Sequence, residues 1–318
     1  MTGPRVVTLG ETMALLRAED TGSLAHVDRL RVGVGGAESN VAIALARLGT
    51  DVTWLGRVGA DGLGARVIRE LRGEGVDVVA VVDDTAPTGL MLKERRTDDI
   101  TRVLYYRAGS AGSRLSATDL PAAHIDTASL LHVSGITPAL SSTASDAVFA
   151  ALDIATASGI PVSFDVNHRA SLWRDRDAAE VYRRIAARSA IVFAGLDEAR
   201  LLLGQDASAA PAAARAIAEL GPAQVVIKLG ADGCVALIDG VLHEVPARPV
   251  RVVDTVGAGD AFVAGYLAEL LAGLPAEARL ATAVTTGAFA CLSAGDWEGY
   301  PRRDEFGLLD PASDPVVR

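Results

Sequence analysis

The stretch Asp254-Thr255-Val256-Gly257-Ala258-Gly259-Asp260-Ala261-Phe262 decides how this chain is read. Three small residues, Gly257, Ala258 and Gly259, let backbone N–H groups converge without obstruction, and from Ala258 onward the sequence reads as an Ala-rich helix. An anion approaching the glycines would meet a helix N-terminus, whose unpaired amides and positive dipole end suit a phosphate or its transition state. Asp260 falls in the first turn. It reads either as an ordinary acidic residue at a helix start or as a base that takes a proton from an attacking hydroxyl beside the phosphate site. The residues alone leave both open.

Composition narrows the class. The chain has 318 residues, half of them hydrophobic and only 4% aromatic, so its core must be built from Val, Leu, Ile and Ala. That is the usual filling of parallel strands buried between helices. Charged residues such as Asp260, Glu269 and Arg279 interrupt the apolar segments well short of a membrane-spanning length, and the positive mean hydropathy reflects Ala. Cys234 and Cys291 offer no disulfide framework and no paired metal spacing. Met1 to Arg5 lead straight into the strand-like Val6 to Leu9 with no long apolar leader, so a cytoplasmic protein without membrane attachment is expected. A net charge of −10 argues against nucleic acid as a partner, and any anionic substrate must be held by local Arg or Lys.

The remainder of the chain alternates between strand and helix. After the first strand, residues 11 to 34 show turn-like, alternating character and read as short strands. The loop Gly33-Val34-Gly35-Gly36-Ala37-Glu38-Ser39-Asn40 then opens a helix with Val41, Leu45 and Leu48 inward, closed by Gly49. These glycines do not match a dinucleotide fingerprint, because Glu38 stands where a third Gly or Ala is expected. They serve either as a plain connector or as a place where a ligand approaches backbone, with Asn40 offering both a donor and an acceptor. Strands at 52–55 and 78–82 enclose a helix at 62–73, which implies parallel strands with right-handed crossovers. Between 86 and 108 the rhythm breaks. Thr88 to Lys93 and Thr101 to Arg107 look like an antiparallel pair joined by Thr97-Asp98-Asp99, and with residues 11 to 34 they would form a small sheet over one edge: a lid, an oligomerisation sheet, or both.

Alternation resumes with strands at 130–133, 161–166, 190–193 and 225–228, helices at 142–158, 197–203 and 209–220, and a hairpin turning at Asp239-Gly240. Helices at about 258–273 and 276–293 finish the core. No repeat or linker divides the chain, so residues 1–318 are expected to form one domain. Asn167 and Arg169 follow a strand, where ligands of open α/β sheets bind; His168 between them has no partner visible in the sequence and reads as structural or solvent-facing.

The Gly35-to-Asn40 loop, with Gly49 and Gly59 downstream, and the Asp254-to-Asp260 stretch resemble the two signature motifs of the ribokinase-like (PfkB) carbohydrate kinases, in the right order and spacing. The resemblance covers essentially the whole chain. It implies a three-layer α/β/α core around a doubly wound, mostly parallel sheet, with a small β-sheet lid formed by about 11–34 and 86–108. It also implies ATP as phosphoryl donor with Mg²⁺, a sugar hydroxyl as acceptor, Asp260 as general base, and the amides of Gly257, Ala258 and Gly259 as the anion hole. A homo-oligomer joined through the lid would accord with it; a monovalent-cation requirement is left open.

Within that family, Tyr105 to Ala111, His132 to Pro138, Asp165 to Arg169 with Trp173, and Gly295 to Gly299 resemble the branch acting on 2-keto-3-deoxy sugar acids. The resemblance implies that Gly35, Gly36, Asn40, Tyr105, Arg107, Arg169, Asp254 and Asp296 surround the sugar acid. It further assigns Asn167, Lys228, Gly230 and Gly233, beside Gly257 and Gly259, to the nucleotide. Physical chemistry agrees on the arginines, whose planar forks can hold a carboxylate bidentately. One departure stands out: the family's Asn-x-x-Glu near the metal is here Gly195-Leu196-Asp197-Glu198, which keeps Glu198 for metal-bound water but lacks the Asn amide. Other acceptors in the family, such as fructose or a 5-keto-2-deoxygluconate, and a non-catalytic sugar-acid sensor are the alternatives.

Overall fold

A computed structural model describes residues 3–97, 100–173, 176–204 and 209–310. The first half of the chain runs β1 (Arg5–Leu9), β2 (Met13–Ala18), β3 (Leu30–Gly35), α1 (Ala37–Arg47), β4 (Asp51–Gly59), α2 (Gly62–Gly73), β5 (Asp77–Asp83), β6 (Leu90–Arg95), β7 (Thr101–Tyr106), α3 (Ala122–Ile125), β8 (Leu130–Ser134), α4 (Thr137–Leu140) and α5 (Ser142–Ala157). The second half continues with β9 (Val162–Asp165), α6 (Ala170–Trp173), α7 (Ala178–Ala186), β10 (Ile191–Gly195), α8 (Leu196–Leu203), α9 (Ala210–Ala218), β11 (Gln224–Lys228), β12 (Cys234–Ile238), β13 (Val241–Val245), α10 (Ala258–Leu271) and α11 (Ala276–Ala290).

Nine strands form the central sheet in the order β13-β12-β11-β10-β9-β8-β1-β4-β5. All neighbours from β5 to β11 pair in parallel, and only β12 and β13 at one edge are antiparallel. Successive residues of one strand face opposite layers, so Val6 joins the core under α1, α10 and α11 while Val7 joins the core under α5, α7 and α9. Both faces are covered, which explains why the strands read as continuous apolar runs. The hairpin turn has φ of 49° at Asp239 and 85° at Gly240, the two left-handed residues a type I′ turn requires. No described helix is long and apolar enough to cross a membrane.

The second sheet has four strands in the order β3-β2-β6-β7, drawn from the two segments where the sequence breaks its α/β rhythm. Thr97 is described in the connection between β6 and β7, whereas Asp98 and Asp99 lie outside the described residues. The chain leaves β1 in one direction for β4 and β5, then returns to lay β8 on its other side, so the order reverses between β1 and β8. A crevice forms at the carboxyl ends of strands at such a reversal, and the small sheet lies beside it.

Candidate active site

At those strand ends sit Glu11 after β1, Asp165 closing β9, Asn167 just beyond it and Lys228 closing β11. With the start of α10 and the small sheet they enclose a cavity of about 380 Å³. Gly257 begins α10 with φ of 78°, and a Cβ there would collide with the Asp296 carbonyl oxygen and approach the Tyr300 hydroxyl to 2.6 Å. Only glycine meets both demands. The Tyr300 hydroxyl donates to the Gly257 carbonyl at 2.8 Å, pinning the turn to the C-terminal segment.

Asp260 in the first turn of α10 is buried, with 8% of its surface exposed. Its Oδ2 accepts from Asn40 Nδ2 at 2.8 Å and its Oδ1 from Asn167 Nδ2 at 3.4 Å. The carboxylate reaches away from its own helix toward groups on α1 and the end of β9. Burial pushes its carboxyl up to about 7, against the pull of the Asn40 donor. A carboxyl titrating near neutrality can collect a hydroxyl proton at physiological pH.

The charges on the cavity wall can be matched. Four cations, Lys93, Arg107, Arg169 and Lys228, face four carboxylates, Glu11, Asp165, Asp260 and Asp296. Arg107 is clasped by Glu11 at 2.6 Å, Lys93 by Asp296 at 2.6 Å and Lys228 by Asp165 at 2.7 Å. Burial pulls Lys228 down, but the charges of Asp165, Glu198 and Asp260, with the hydrogen bond to Asp165, together hold it above the usual lysine range. Among the described residues this pairing leaves one cation and one anion over. They are Arg169, exposed and bonded only to the His168 carbonyl at 3.3 Å, and Asp260.

The other sequence candidates distribute around this centre. Gly36, Asn40, Tyr105, Asn167, Gly257, Gly259 and Asp296 line the same cavity. Tyr105 is half-exposed on β7, with Arg107 Cζ 5.7 Å from its ring centroid. Gly35 is packed against the Asp296 carboxylate and Met91, with no room for a side chain. Asp254 stands one step away: its Oδ1 accepts from the Val256 N–H at 3.1 Å, and its Oδ2 lies 3.6 Å from Lys93 Nζ on the wall of a neighbouring cavity. Gly230, Gly233 and Ala258 line an apolar groove of about 330 Å³ with Phe262, Val284 and Cys291. That groove meets the main cavity at Lys228, Thr255 and Gly259.

Glu198 has a geometry of its own. Its Oε2 accepts from the Gly195 N–H at 2.6 Å and its Oε1 from the His168 N–H at 2.7 Å, so it ties the start of α8 to the segment after β9. No group of three His, Cys, Asp or Glu side chains among the described residues could hold a metal ion alone. A divalent ion here would therefore be shared with ligand oxygens and water, as Mg²⁺ commonly is. His168, for which the sequence shows no partner, does have one: its Nδ1 lies 3.0 Å from the Tyr182 hydroxyl, and the two rings meet edge-on.

Glu11, Lys93 and Asp165 line the cavity as well, though the sequence did not single them out as candidates. Glu11 and Asp165 sit at the carboxyl ends of strands, the same signal that singled out Asn167 and Arg169. For Lys93 the signal was its phase. It shares a strand face with the buried Met91, so its side chain had to point inward.

Known proteins place this architecture. The family model of the pfkB carbohydrate kinases matches residues 4–303. The 2-dehydro-3-deoxygluconokinase of Bacillus subtilis is 37% identical over 305 residues, covering 94% of this chain and 93% of that protein. The 2-dehydro-3-deoxygalactonokinase of Haloferax volcanii is 34% identical, covering 92% of each. Among solved structures, a putative ribokinase II from E. coli in complex with ATP and Mg²⁺ superimposes with a TM-score of 0.89 at 25% identity, over 96% of this chain and 98% of that one. A switch-point cavity, a glycine-started helix with a buried aspartate and a family match over nearly the whole length lead to one assignment: the chain belongs to the pfkB family of carbohydrate kinases.

Proposed function

We propose that the protein transfers the γ-phosphoryl group of ATP to the terminal hydroxyl of a 2-keto sugar acid, with 2-keto-3-deoxygluconate or its galactonate epimer as the acceptor. The observation that carries this reading is the unmatched pair in the cavity. A sugar acid brings a carboxylate at one end and a reacting hydroxyl at the other; among the described residues the wall has one cation and one carboxylate without an ion-pair contact, Arg169 and Asp260. A neutral sugar would leave Arg169 without a counter-charge. The names of the Bacillus and Haloferax relatives point to the same acceptors.

In this reading Arg169 holds the carboxylate, and Arg107, steadied by Glu11, presents its remaining N–H groups to the same end of the sugar. Tyr105 covers the ligand. Asp260 accepts the hydroxyl proton as the oxygen attacks phosphorus, while Asn40 and Asn167 hold its carboxylate in aim. The amides of residues 257 to 259 stabilise charge growing on the phosphoryl oxygens, and Lys228 adds a positive charge beside Gly259. The apolar groove next door has the size and character to take a purine, and its junction at Lys228 and Gly259 would bring the phosphates to the start of α10. Mg²⁺ bound to those phosphates would neutralise their charge, with Glu198 available to a coordinated water. A kinase of this kind draws on the cell's ATP pool, and the reading carries a cytoplasmic location. It also carries a closing role for the small sheet over the cavity, and a homo-oligomer joined through that sheet's outer face.

Purified protein with MgATP should release ADP with 2-keto-3-deoxygluconate or its galactonate epimer and far more slowly with fructose or ribose. Preference for a neutral sugar would discard the acid reading while keeping the kinase. Binding of the acid without turnover would make the protein a sensor.

A further inference from the structure

Next to the sugar cavity lies a second one, of about 310 Å³, under the outer end of the small sheet. Among the described residues its wall carries Arg17, Arg31, Lys93 and Arg95 with two carboxylates, Glu19 and Asp254. Sheet register explains the cluster. Arg17 of β2 is paired directly with Arg31 of β3 on one side and with Lys93 of β6 on the other, so three cations stand in one row on one face. Arg95 is two residues along from Lys93 on the same face, and its own partner across the ladder is Thr101. Like charges directly opposite one another weaken a sheet. Yet the row persists in a chain whose net charge is −10.

Among the described residues, the counter-charges beside the Arg17–Arg31–Lys93 row do not cancel it. Arg31 is 3.9 Å from Glu19, with both side chains largely exposed, and such a pair contributes little. Lys93 is engaged toward the core by Asp296 and Asp254. Arg17, half-buried in the middle of the row, has no hydrogen-bond or ion-pair partner among the described residues. An unpartnered guanidinium flanked by two cations, beside a hydroxyl donor and in a cavity of this size, is a receptor for a compact polyanion.

We propose that this cavity binds a small phosphorylated anion, and that its occupancy is felt in the sugar cavity through Lys93. Lys93 lines both cavities. An anion seated between Arg17 and Arg31 offers its ammonium a competing partner and loosens its hold on Asp296, a wall residue of the sugar site. Sugar affinity falls while the nucleotide groove, which does not contain Lys93, is untouched. The binding claim is independent of the acceptor assigned above, because it is read without turnover.

The test uses inorganic pyrophosphate as the probe on the full chain, without Mg²⁺ or ATP, by calorimetry at low and moderate salt. The parent should show two classes of site, one at the start of α10 and one under the small sheet. The paired change Arg17→Gln and Arg31→Gln, both on exposed or half-buried positions outside the sugar cavity, should remove one class and at least tenfold of the affinity there, with unchanged far-UV dichroism. Arg17→Lys should restore part of it, and salt should weaken it steeply. With a working kinase assay, an anion of this class should raise KM for the sugar several-fold without changing KM for ATP, and the double variant should lose that response. Identical isotherms for parent and double variant would overturn the site. Binding that is lost in the variant but leaves KM for the sugar unmoved would overturn the coupling through Lys93.

Discussion

Asp260 carries two consequences that can be measured separately. As a base it must be ionised, and burial sets its carboxyl near 7. In the kinase reading, kcat/KM for the sugar should therefore rise about tenfold per pH unit below 7 and level off above it. Asp260→Asn should lower kcat by roughly 10²- to 10⁴-fold with little change in KM, and the pH limb should vanish. The same shift bears on stability. An unfolded aspartate ionises near 4, so between about pH 4 and 7 the unfolded chain releases a proton that the folded one keeps, and stability falls as pH rises through that window. Asp260→Asn should thus melt above the parent at pH 8, with the gap closing toward pH 4. A variant that turns over normally removes the base assignment; one that melts no higher at pH 8 removes the claim that Asp260 is buried at a cost. Arg169 is judged on another axis. Arg169→Lys keeps the charge but loses the planar fork, and KM for the acid should rise about tenfold or more while KM for ATP stays within about threefold. Equal changes in both would mean a general loss of structure.

At the scale of elements, the ion pair between Lys93 on β6 and Asp296 near the C-terminal end couples the small sheet to the main body. Lys93 is 2% exposed, so removing its charge strands a buried carboxylate. Lys93→Met should cost on the order of 3 kcal/mol in chemical denaturation, and adding Asp296→Asn should return part of that loss, since the double variant buries no lone charge. Additive losses would show that the two side chains do not act as a pair. This contact also marks where the sequence stops being legible. The large sheet could be read because buried parallel strands and their helices each have a strong local pattern, and β4, α2, β9 and α10 lie within a few residues of where periodicity puts them. The Asp239-Gly240 turn was legible because few residue pairs tolerate two left-handed conformations. Strand order was not, and neither were the ionic partners. Glu11 and Arg107 are 96 residues apart, and Lys93 and Asp296 are 203 apart. A charge in isolation does not announce which distant charge will neutralise it. Arg107 and Arg169 looked equivalent in the sequence, each a cation after a strand, and only the fold shows that Glu11 has already taken the first.

For the whole molecule, the outer face of the small sheet sets an expectation about assembly. Tyr106 is 62% exposed and Leu104 42%, and across the ladder Leu104 faces the half-buried Leu92 while Tyr106 faces Leu90. On β3, Leu30 is also exposed, and Val32 beside it is half-buried. Leu16 of β2 pairs with Val32 and with Leu92, so the apolar positions run across all four strands on the side away from the cavity. A continuous apolar face on an open sheet is the kind of surface on which proteins associate, because water contact with it is unfavourable. Two copies meeting there would cover both faces and brace both sheets over their cavities without touching the catalytic groups. Leu104→Asp places a charge on the β7 side of that face, where it stays hydrated in the monomer and would be stranded in an assembly. Light scattering should show the parent as a dimer or larger and the variant one subunit at a time, with the melting temperature of the isolated subunit still a single transition. If bracing matters for closure, the dissociated variant should also bind sugar more weakly while its groove for the nucleotide is unchanged. A parent that scatters as a monomer at micromolar concentration would sink the assembly outright, and a variant that stays assembled would move the interface to another face.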